Sequence, residues 1–377
     1  MQLKSSRSTC VLSLRGIDPS VSRCAAFELE DVVCAVEGAD LLAPRTLPGK
    51  GQPSRALDII DRRTPWTVTV KPKLDPIRVE REYDLALVVV QTLDDLEHLR
   101  LFEGWREKSR TAICYLEEEY RAWIGRYTGR NSPLRRLKDF DYVFMNCIGS
   151  VDAVHAAVGL PVHYVAPGID ALRFRPRFER RSTDVYYMGR RSQVTHDALV
   201  RSLEAGEISY AFDSASLGRV QDVRQHRLLL AGSIQNTRYF IVQKAKAGQL
   251  DHTFGQEELG LRYFEGAAGG AVMLGSWPSV ETFDAHFDWP DAVIPMDYDC
   301  PEIVALIADL DRQPERMERL RRQNVMQSLS RHDWSHRWST ILETVGLPNG
   351  EGTARRAAQL EAAMEQVTRL YGANGNV

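Results

Sequence analysis

Short apolar segments alternate with longer amphipathic segments along the chain, and this alternation restricts the fold more than any other feature. In the first half, apolar segments such as Leu85–Val90 and Tyr142–Asn146 contain few polar residues, which is typical of strands that helices cover on both faces. Helical patterns lie between them at Leu93–Lys108, Glu117–Tyr127 and Ser150–Val158. Strands that alternate with helices of this length predict βαβ units and a parallel sheet.

The alternation occurs in two series, which predicts two lobes. The strands predicted for the first series are Thr9–Leu14, Val32–Val36, Thr67–Val70, Leu85–Val90, Thr111–Leu116, Tyr142–Asn146 and His163–Ala166. Those of the second series are Val185–Met188, Ser209–Phe212, Tyr239–Val242, Ala271–Leu274 and Ala292–Pro295, with helices at Val194–Ala205, Gly260–Ala268, Pro301–Asp311 and Pro314–Ser330. Proline, glycine and arginine are frequent in the segment between the two series, which indicates a linker over 167–182. We therefore expect α/β lobes at 1–166 and 183–333, followed by helical residues at 334–377 that include Thr353–Tyr371.

Composition supports two soluble lobes and excludes several classes of protein. The chain has 377 residues, roughly twice the usual size of one domain. Its 48 basic and 51 acidic residues argue against nucleic acid as the main partner, because proteins that bind phosphate backbones carry a marked basic excess. The apolar runs are far shorter than the ~20 residues that span a bilayer, and the N-terminal residues lack the apolar core of a secretory signal. Six scattered cysteines without a C-x-x-C pair favour reduced thiols, so we expect a cytoplasmic protein.

The segment from Glu257 to Gly275 is the most informative part of the sequence. Glu257 and Glu265 flank Arg262, and the small residues that follow Glu265 lead into an apolar strand. Small residues let a ligand lie against the backbone, and a helix N-terminus offers free N–H groups to a phosphate. A carboxylate can accept the hydroxyls of a ribose, and a guanidinium can neutralise a diphosphate. The same pattern also fits an ordinary βα unit with two surface glutamates.

Two further segments complete the pattern. The predicted strand Val185–Met188 ends at Gly189 and is followed by Arg190 and Arg191. Ligands of open parallel sheets bind beyond the carboxyl ends of the strands, so either arginine could face an anionic ligand; two solvated arginines in a turn are the alternative. The segment Pro167–Asp170 (PGID) forces a turn between the lobes.

In this order, the segments resemble the group 1 glycosyltransferases of the GT-B fold, in particular the retaining family 4 and its spore-maturation-type relatives. Pro167–Pro176 is similar to their interdomain signature, and Met188–Arg191 is similar to their strand that ends in Gly-Arg. Glu257–Leu274 is similar to their donor-site signature, and Arg262–Glu265 (RYFE) has the form typical of the spore-maturation branch. Trp334–Trp338 resembles the tract after which the C-terminal helices of such proteins cross back to the first lobe.

The resemblance implies transfer of a hexosyl or related sugar from a nucleotide-diphosphate-sugar donor, with retention and without a metal ion or other cofactor. The donor-binding residues that it implies are Gly189, Arg190, Arg191, Arg262, Tyr263, Phe264, Glu265 and Gly266. Glu265 would bind the ribose, the arginines would meet the diphosphate, and Glu257 would approach the donor sugar as a catalytic residue. Where the family usually has a histidine in the first lobe, this chain has Glu117, which is the second catalytic candidate.

Other parts of the sequence leave alternatives open. The family lysine after Gly-Arg is absent, and Lys244 or Lys246 could replace it. The acceptor, whether glycan, lipid-linked, protein or small molecule, is not specified, and the basic stretch Arg316–Arg322 allows peripheral contact with the inner membrane surface. A GT-B nucleotide-sugar epimerase or hydrolase is one alternative function, and a non-catalytic nucleotide-binding scaffold is another.

Two motifs that suggest metal binding have a simpler interpretation. Asp297 and Asp299 form a D-x-D sequence, but Pro301 follows at once and predicts the start of a helix. His332 and His336 have the spacing of a zinc-binding helix, but no histidine follows that could be a third ligand, and tryptophans surround them. Helix entry and packing are therefore favoured at these positions.

Overall fold

The computed structural model describes residues 7–18, 20–45, 74–127, 132–176, 180–213, 220 and 222–372. Within these residues the chain forms two α/β lobes, each built on a parallel sheet. The predicted strand Thr67–Val70 lies outside the described residues. None of the described helices is both long and apolar enough to cross a membrane.

The first lobe contains a six-stranded parallel sheet of strand order β2-β1-β4-β6-β7-β8. The strands described in this lobe are β1 (Thr9–Leu12), β2 (Asp40–Leu42), β3 (Ile77–Arg78), β4 (Tyr83–Val90), β5 (Phe102–Glu103), β6 (Ser109–Leu116), β7 (Tyr142–Met145) and β8 (Val162–Tyr164). The short β3 and β5 pair with each other outside the main sheet. The helices are α1 (Cys24–Glu37), α2 (Arg121–Ile124) and α3 (Val151–Val158), and the 3-10 segments are Val21–Arg23, Leu93–Leu101, Pro133–Asp139 and Ile148–Ser150.

The second lobe contains a five-stranded parallel sheet of strand order β10-β9-β11-β12-β13. Its strands are β9 (Thr183–Tyr187), β10 (Tyr210–Phe212), β11 (Thr237–Val242), β12 (Val272–Gly275) and β13 (Ile294–Pro295). A short linker helix, α4 (Ala171–Phe174), precedes the lobe. The helices that follow are α5 (Gln193–Glu204), α6 (Val223–Gln235), α7 (Leu250–Thr253), α8 (Leu261–Ala268), α9 (Glu281–His286), α10 (Ile303–Asp311), α11 (Pro314–Gln327), α12 (Trp334–Thr344) and α13 (Glu351–Gly372), with a π-helical turn at Ser328–His332.

The central strand β4 shows why an uninterrupted apolar sequence forms a strand here. Its residues from Leu85 to Val90 are at most 2% exposed. Because successive side chains point to opposite faces, Ala86 and Val88 pack in the core on one side of the sheet, whereas Leu85 and Leu87 pack in the core on the other side. Both faces are covered, as the sequence predicted, and the doubly wound α/β fold is confirmed.

The C-terminal helices connect the two lobes. Trp334 and Trp338 of α12 are fully buried in the core that contains Phe27 of the first lobe. The linker runs close beneath this helix, since a Cβ atom on Gly168 would lie 2.6 Å from the Trp334 ring. Ile169 of the linker also forms a parallel bridge with Asp333. These contacts fix the linker between the two lobes.

Several predicted elements differ from the structure. Val32–Val36 is not a strand, because it is the C-terminal part of α1. The helix predicted at Leu93–Lys108 is a 3-10 segment that ends at Leu101, and only α2 is α-helical within Glu117–Tyr127. Neither β2 nor α6 was predicted from the sequence. The omission of α6 matters most for the function, because this helix carries side chains of the candidate site.

Candidate active site

A cavity of about 440 Å³ lies between the two lobes. Its wall includes the residues that follow five parallel strands, namely Gln91 after β4, Glu117 after β6, Asn146 after β7, Met188 after β9 and Gln243 after β11. The carboxyl ends of both sheets therefore face one space. This is where open α/β sheets bind their ligands, so the topology alone makes the cavity the candidate active site.

Glu265 is the most buried ionisable side chain in the cavity wall. It is fully buried, and its carboxylate accepts hydrogen bonds from Arg227 Nη1 at 2.5 Å and from Arg262 Nη1. Burial alone would raise the pKa of Glu265, but the two guanidinium groups outweigh it and hold the pKa below its usual value. Glu265 is therefore a carboxylate at neutral pH, with lone pairs left for further donors.

Helix α8 divides the predicted donor residues into two groups. Arg262 and Glu265, three residues apart on one helix face, border the cavity, and the backbone at Gly260 begins the helix at the cavity wall. Tyr263 and Phe264 are on the other face and are fully buried in the core of the second lobe. Only the first group can touch a ligand in the cavity.

Gly266 and Tyr263 make contacts that hold helix α8 in place. Gly266 packs against the sheet, where a Cβ atom would lie 2.8 Å from Phe240 and 2.9 Å from Met273. Tyr263 donates a hydrogen bond from its hydroxyl to the carbonyl of Ser276 at 2.6 Å. These residues set the position of α8 and do not border the cavity.

The two arginines after β9 have different surroundings. Arg190 borders the cavity, is exposed, and makes no ion pair with any residue that the structure describes. Arg191 points away from the cavity and pairs with Asp213 at 2.5 Å. Gly189, which borders the cavity, has a φ of 83°, a conformation that few residues other than glycine adopt. This turn aims Arg190 rather than Arg191 into the cavity.

Glu257 does not border the cavity, and its neighbour Glu258 does. The carboxylate of Glu257 accepts hydrogen bonds from Lys244 Nζ at 2.5 Å and from the backbone N–H of Ser279 at 2.8 Å. Burial raises the pKa of Glu257, but these two hydrogen bonds and the Lys244 charge lower it overall. Lys244 itself reaches the cavity wall, so it links Glu257 to the site.

Glu258 joins the two lobes at the edge of the cavity. Its carboxylate accepts hydrogen bonds from the backbone N–H groups of Ile148 and Gly149 in the first lobe, at 3.0 and 2.9 Å. A second interlobe contact is the ion pair of Lys246 with Glu118, at 2.6 Å. Glu258, Lys246 and Glu118 all border the cavity, so both contacts lie in its wall.

The three consecutive glutamates of the first lobe differ in their contacts. Glu117 faces the cavity, and its carboxylate makes no hydrogen bond or ion pair with a described residue. Burial, reinforced by the charge of Glu118, raises the pKa of Glu117 to about 8. Glu119 is buried below the wall, accepts the N–H of Leu93 at 3.0 Å, and does not border the cavity. Among these glutamates, Glu117 is therefore the one available to a substrate.

Sequence reasoning missed the contribution of α6. His226 of this helix borders the cavity, and burial, together with the nearby Arg227 charge, lowers its pKa, so its imidazole is neutral at neutral pH. Arg227 also borders the cavity, although its side chain is only 3% exposed. Buried arginines are rare unless they are paired, but no feature of the sequence identified Arg227 as buried.

In both motifs that suggest metal binding, side chains form hydrogen bonds within the protein. Asp299 accepts a hydrogen bond from Ser192, the residue that caps α5, at 2.5 Å. His332 lies in the π-helical turn and His336 in α12, so they do not share one regular helix face. Their Nε2 atoms lie 3.0 Å from the His286 carbonyl and 3.2 Å from the Leu329 carbonyl, respectively.

The class of protein to which this chain is similar follows from sequence and fold together. Residues 223–343, about a third of the chain, match the family model described as "Glycosyl transferase-like". This segment contains α6, Glu257, α8 and α12, so it includes most of the second-lobe side of the cavity. The match shows a glycosyltransferase-like domain in these residues, and the two Rossmann-like lobes that face each other across a cleft have the GT-B architecture. No curated protein matches the sequence at a significant level.

One solved structure has a similar overall fold. The N-terminal domain of trehalose-6-phosphate phosphatase from Candida albicans aligns with a TM-score of 0.51 and 8% identity, over 92% of this chain and 97% of that domain. The Anabaena protein Alr3699/HepE, solved in complex with UDP-glucose, aligns over 90% of this chain and 99% of that protein, with a TM-score of 0.49 and 10% identity. This chain spans 57% of the matched chain of the GtfA/B complex, with a TM-score of 0.36 and 11% identity.

Proposed function

We propose that this protein transfers a sugar from a nucleotide-diphosphate-sugar donor to a hydroxyl group of an acceptor in the interlobe cavity. We further propose that transfer proceeds with retention and without a metal ion, as the resemblance to family 4 implies. The observation that carries the proposal is the arrangement of charges in the cavity. Cations and a helix N-terminus lie on the second-lobe wall, and a carboxylate that pairs with no described residue lies on the first-lobe wall.

The second-lobe wall fits the nucleotide part of the donor. Arg190 has no ion-pair partner among the described residues, and Arg262, whose side chain is 30% exposed, pairs there with Glu265 alone. The N-terminus of α8, which no side chain caps, lies beside Arg262. Two guanidinium groups and free backbone N–H groups suit a diphosphate. The remaining lone pairs of Glu265 would accept the ribose hydroxyls.

The first-lobe wall fits an acceptor hydroxyl. Glu117 has a pKa of about 8, and a catalytic acid or base works best when its pKa is near the working pH. In the proposed reaction the bond from the anomeric carbon to the phosphate oxygen breaks, and the acceptor oxygen bonds to that carbon on the face that the diphosphate leaves, so the configuration is retained. The nucleoside diphosphate leaves with the electron pair, and Glu117 takes the hydroxyl proton before passing it to solvent.

The largest task of the site is to stabilise the negative charge that develops on the leaving diphosphate. Fixed cations and N–H dipoles lower the energy of such a charge without needing to reorganise during the reaction. Arg190 and Arg262 provide these cations in the proposed site. Lys244 and Lys246 already pair with Glu257 and Glu118, at 2.5 and 2.6 Å, so they would contribute less.

Nucleotide binding tests the proposal. UDP, GDP and dTDP, each with its sugar conjugates, are added to the protein, and thermal unfolding is followed. The preferred nucleotide should stabilise the fold by about 2.7 kcal/mol at a hundredfold excess over its Kd. Glu265→Gln should lose most of this stabilisation, whereas Glu257→Gln, which lies outside the cavity, should keep it and lower turnover.

The outcomes distinguish the candidate functions. Release of nucleoside diphosphate that depends on an acceptor supports transfer. Release of free sugar, or conversion of the donor to an epimer, would indicate a hydrolase or epimerase. Stabilisation without any product would indicate a binding scaffold, and the absence of stabilisation by every nucleotide would refute a nucleotide-sugar site.

A further inference from the structure

We propose that Glu28 and Arg227 form an interlobe positioning pair, through which closure of the two lobes orients the Glu265 carboxylate for the donor. The inference rests on the proposed function, because it assigns a task to residues beside the donor site. It adds that the first lobe acts on donor binding, although Glu28 itself does not border the cavity.

The hydrogen bonds of Arg227 carry the argument. Its Nε and Nη2 donate to the two oxygens of Glu28, at 2.8 and 3.1 Å, and its Nη1 donates to Glu265 at 2.5 Å. The guanidinium lies 4.8 Å from the centre of the Phe174 ring, which packs against it. Arg227 is 3% exposed, and both carboxylates are fully buried. One fixed guanidinium therefore connects a first-lobe acid with a donor-site acid.

Glu28 also contacts the linker and the C-terminal helices. Its carboxylate accepts the backbone N–H of Asp170 at 2.8 Å, Arg173 Nη1 at 3.1 Å and Trp334 Nε1 at 3.3 Å. Because the linker, α12 and α6 all meet at this side chain, the lobes cannot separate without breaking bonds of Glu28. The hydrogen bonds between Glu28 and Arg227 therefore form when the two lobes lie against each other and break when the lobes separate.

Arg227 shares its N–H groups between Glu28 and Glu265, and this sharing sets how many lone pairs of Glu265 are left for a ligand. While Glu28 holds the Nε–Nη2 edge, Arg227 gives Glu265 a single hydrogen bond, and Arg262 gives one more. A carboxylate has about four lone-pair sites, so two remain for ribose hydroxyls. Without Glu28 the guanidinium can turn and bind Glu265 with two parallel bonds, which occupies a site that the ribose needs.

The next turn of the same helices provides a matched control. Asp31 of α1 pairs across the lobes with Arg224 of α6, at 3.2 and 3.3 Å. The Arg224 side chain is 69% exposed, and no contact joins Arg224 to Glu265. Asp31→Asn therefore removes an exposed interlobe ion pair, together with the ion pair of Asp31 and Arg15 within the first lobe at 2.8 Å, without touching the donor carboxylate.

The first test needs no ligand. Urea unfolding is measured for Glu28→Gln, Glu265→Gln and the double variant, and in parallel for Asp31→Asn with Glu265→Gln. Side chains that share a partner give non-additive effects, so the first cycle should be non-additive and the second additive. An additive first cycle would overturn the proposal, whether or not a nucleotide binds.

The second test measures the Kd of the nucleoside diphosphate that stabilises the wild-type protein. Glu28→Gln should raise this Kd about tenfold, and Arg227→Lys, which keeps the charge but loses the forked geometry, should do the same. Asp31→Asn should leave it within about twofold of the wild-type value. Equal effects of Glu28→Gln and Asp31→Asn would show a purely structural role and overturn the inference. Absence of wild-type nucleotide binding would instead refute the proposed function and leave the unfolding cycle to decide the inference.

Discussion

The raised pKa of Glu117 makes part of the stability of the protein depend on pH. Burial and the Glu118 charge raise this pKa from 4.5 to about 8. Between these values the folded protein binds more protons at this site than the unfolded chain does, so the free energy of unfolding falls as pH rises. This contribution to stability is complete below the unfolded pKa and is lost as the pH passes through the folded pKa.

Glu117→Gln removes this dependence and keeps the shape of the side chain. Between the unfolded and folded pKa values, each pH unit changes the free energy of unfolding by about 1.4 kcal/mol if the folded protein binds one proton more than the unfolded chain. The carboxyl group borders a cavity open to water, which weakens the effect, so we expect a total of about 1–2 kcal/mol between about pH 5 and pH 7.5. The Gln variant should therefore match the wild type at the lower pH and exceed its stability at the higher pH.

Urea unfolding at the two pH values measures this difference. Glu257→Gln is the control, because the pKa of Glu257 is lowered from 4.5 by Lys244 and the Ser279 N–H although burial raises it. A lowered carboxyl pKa makes stability depend on pH only below about the unfolded pKa, so this substitution should change the free energy of unfolding nearly equally at the two pH values. If Glu117→Gln changed stability equally at both pH values, the proposed environment of Glu117 would be wrong.

Three further predictions concern the cavity and the linker. Arg190→Gln should raise the nucleotide Kd about tenfold, whereas Arg191→Gln should change it less than twofold because Arg191 pairs with Asp213 outside the cavity; equal effects in calorimetric titration would contradict this assignment. Gly168→Ala should lower the free energy of unfolding by about 1–3 kcal/mol, because the added Cβ would lie 2.6 Å from Trp334, and unchanged unfolding would contradict that packing. EDTA should leave sugar transfer intact, and a loss that Mn²⁺ restores would favour the D-x-D interpretation.

The parallel sheets could be predicted because their strands are short, apolar and buried on both faces. The same reasoning failed at Val32–Val36, which has the composition of a buried strand but belongs to α1. An apolar run of this length does not distinguish a strand from a buried helix. In α1, even Glu28 and Glu30 are fully buried, so the polar face that would have marked an amphipathic helix is reduced.

Helix α6 was missed for the opposite reason. Its buried positions are Arg227, Leu230, Ala231 and Ile234, which have helical spacing, but one of them is an arginine. Leu228 and Leu229 are 57% and 73% exposed, so the apolar residues do not follow the buried face. Two buried acidic partners, Glu28 of the first lobe and Glu265 of α8, explain why Arg227 is inside, and sequence spacing does not reveal pairs this distant.

The candidate site, like the fold, could be predicted only in part. The sequence placed Arg190 and Glu117 after strand ends, and Arg262 and Glu265 in a helical segment that leads into a strand. The structure places all four at one cavity, and their roles stay predictions. It did not distinguish Glu257 from Glu258, because adjacent residues in a loop can point in opposite directions.

A crystal structure with the nucleoside diphosphate that binds most tightly would test the central claim most directly. We predict the diphosphate within hydrogen-bonding distance of Arg190 and Arg262, and the ribose hydroxyls at Glu265. A nucleotide bound at any other surface, or bound in the cavity without contact to these three side chains, would contradict the account.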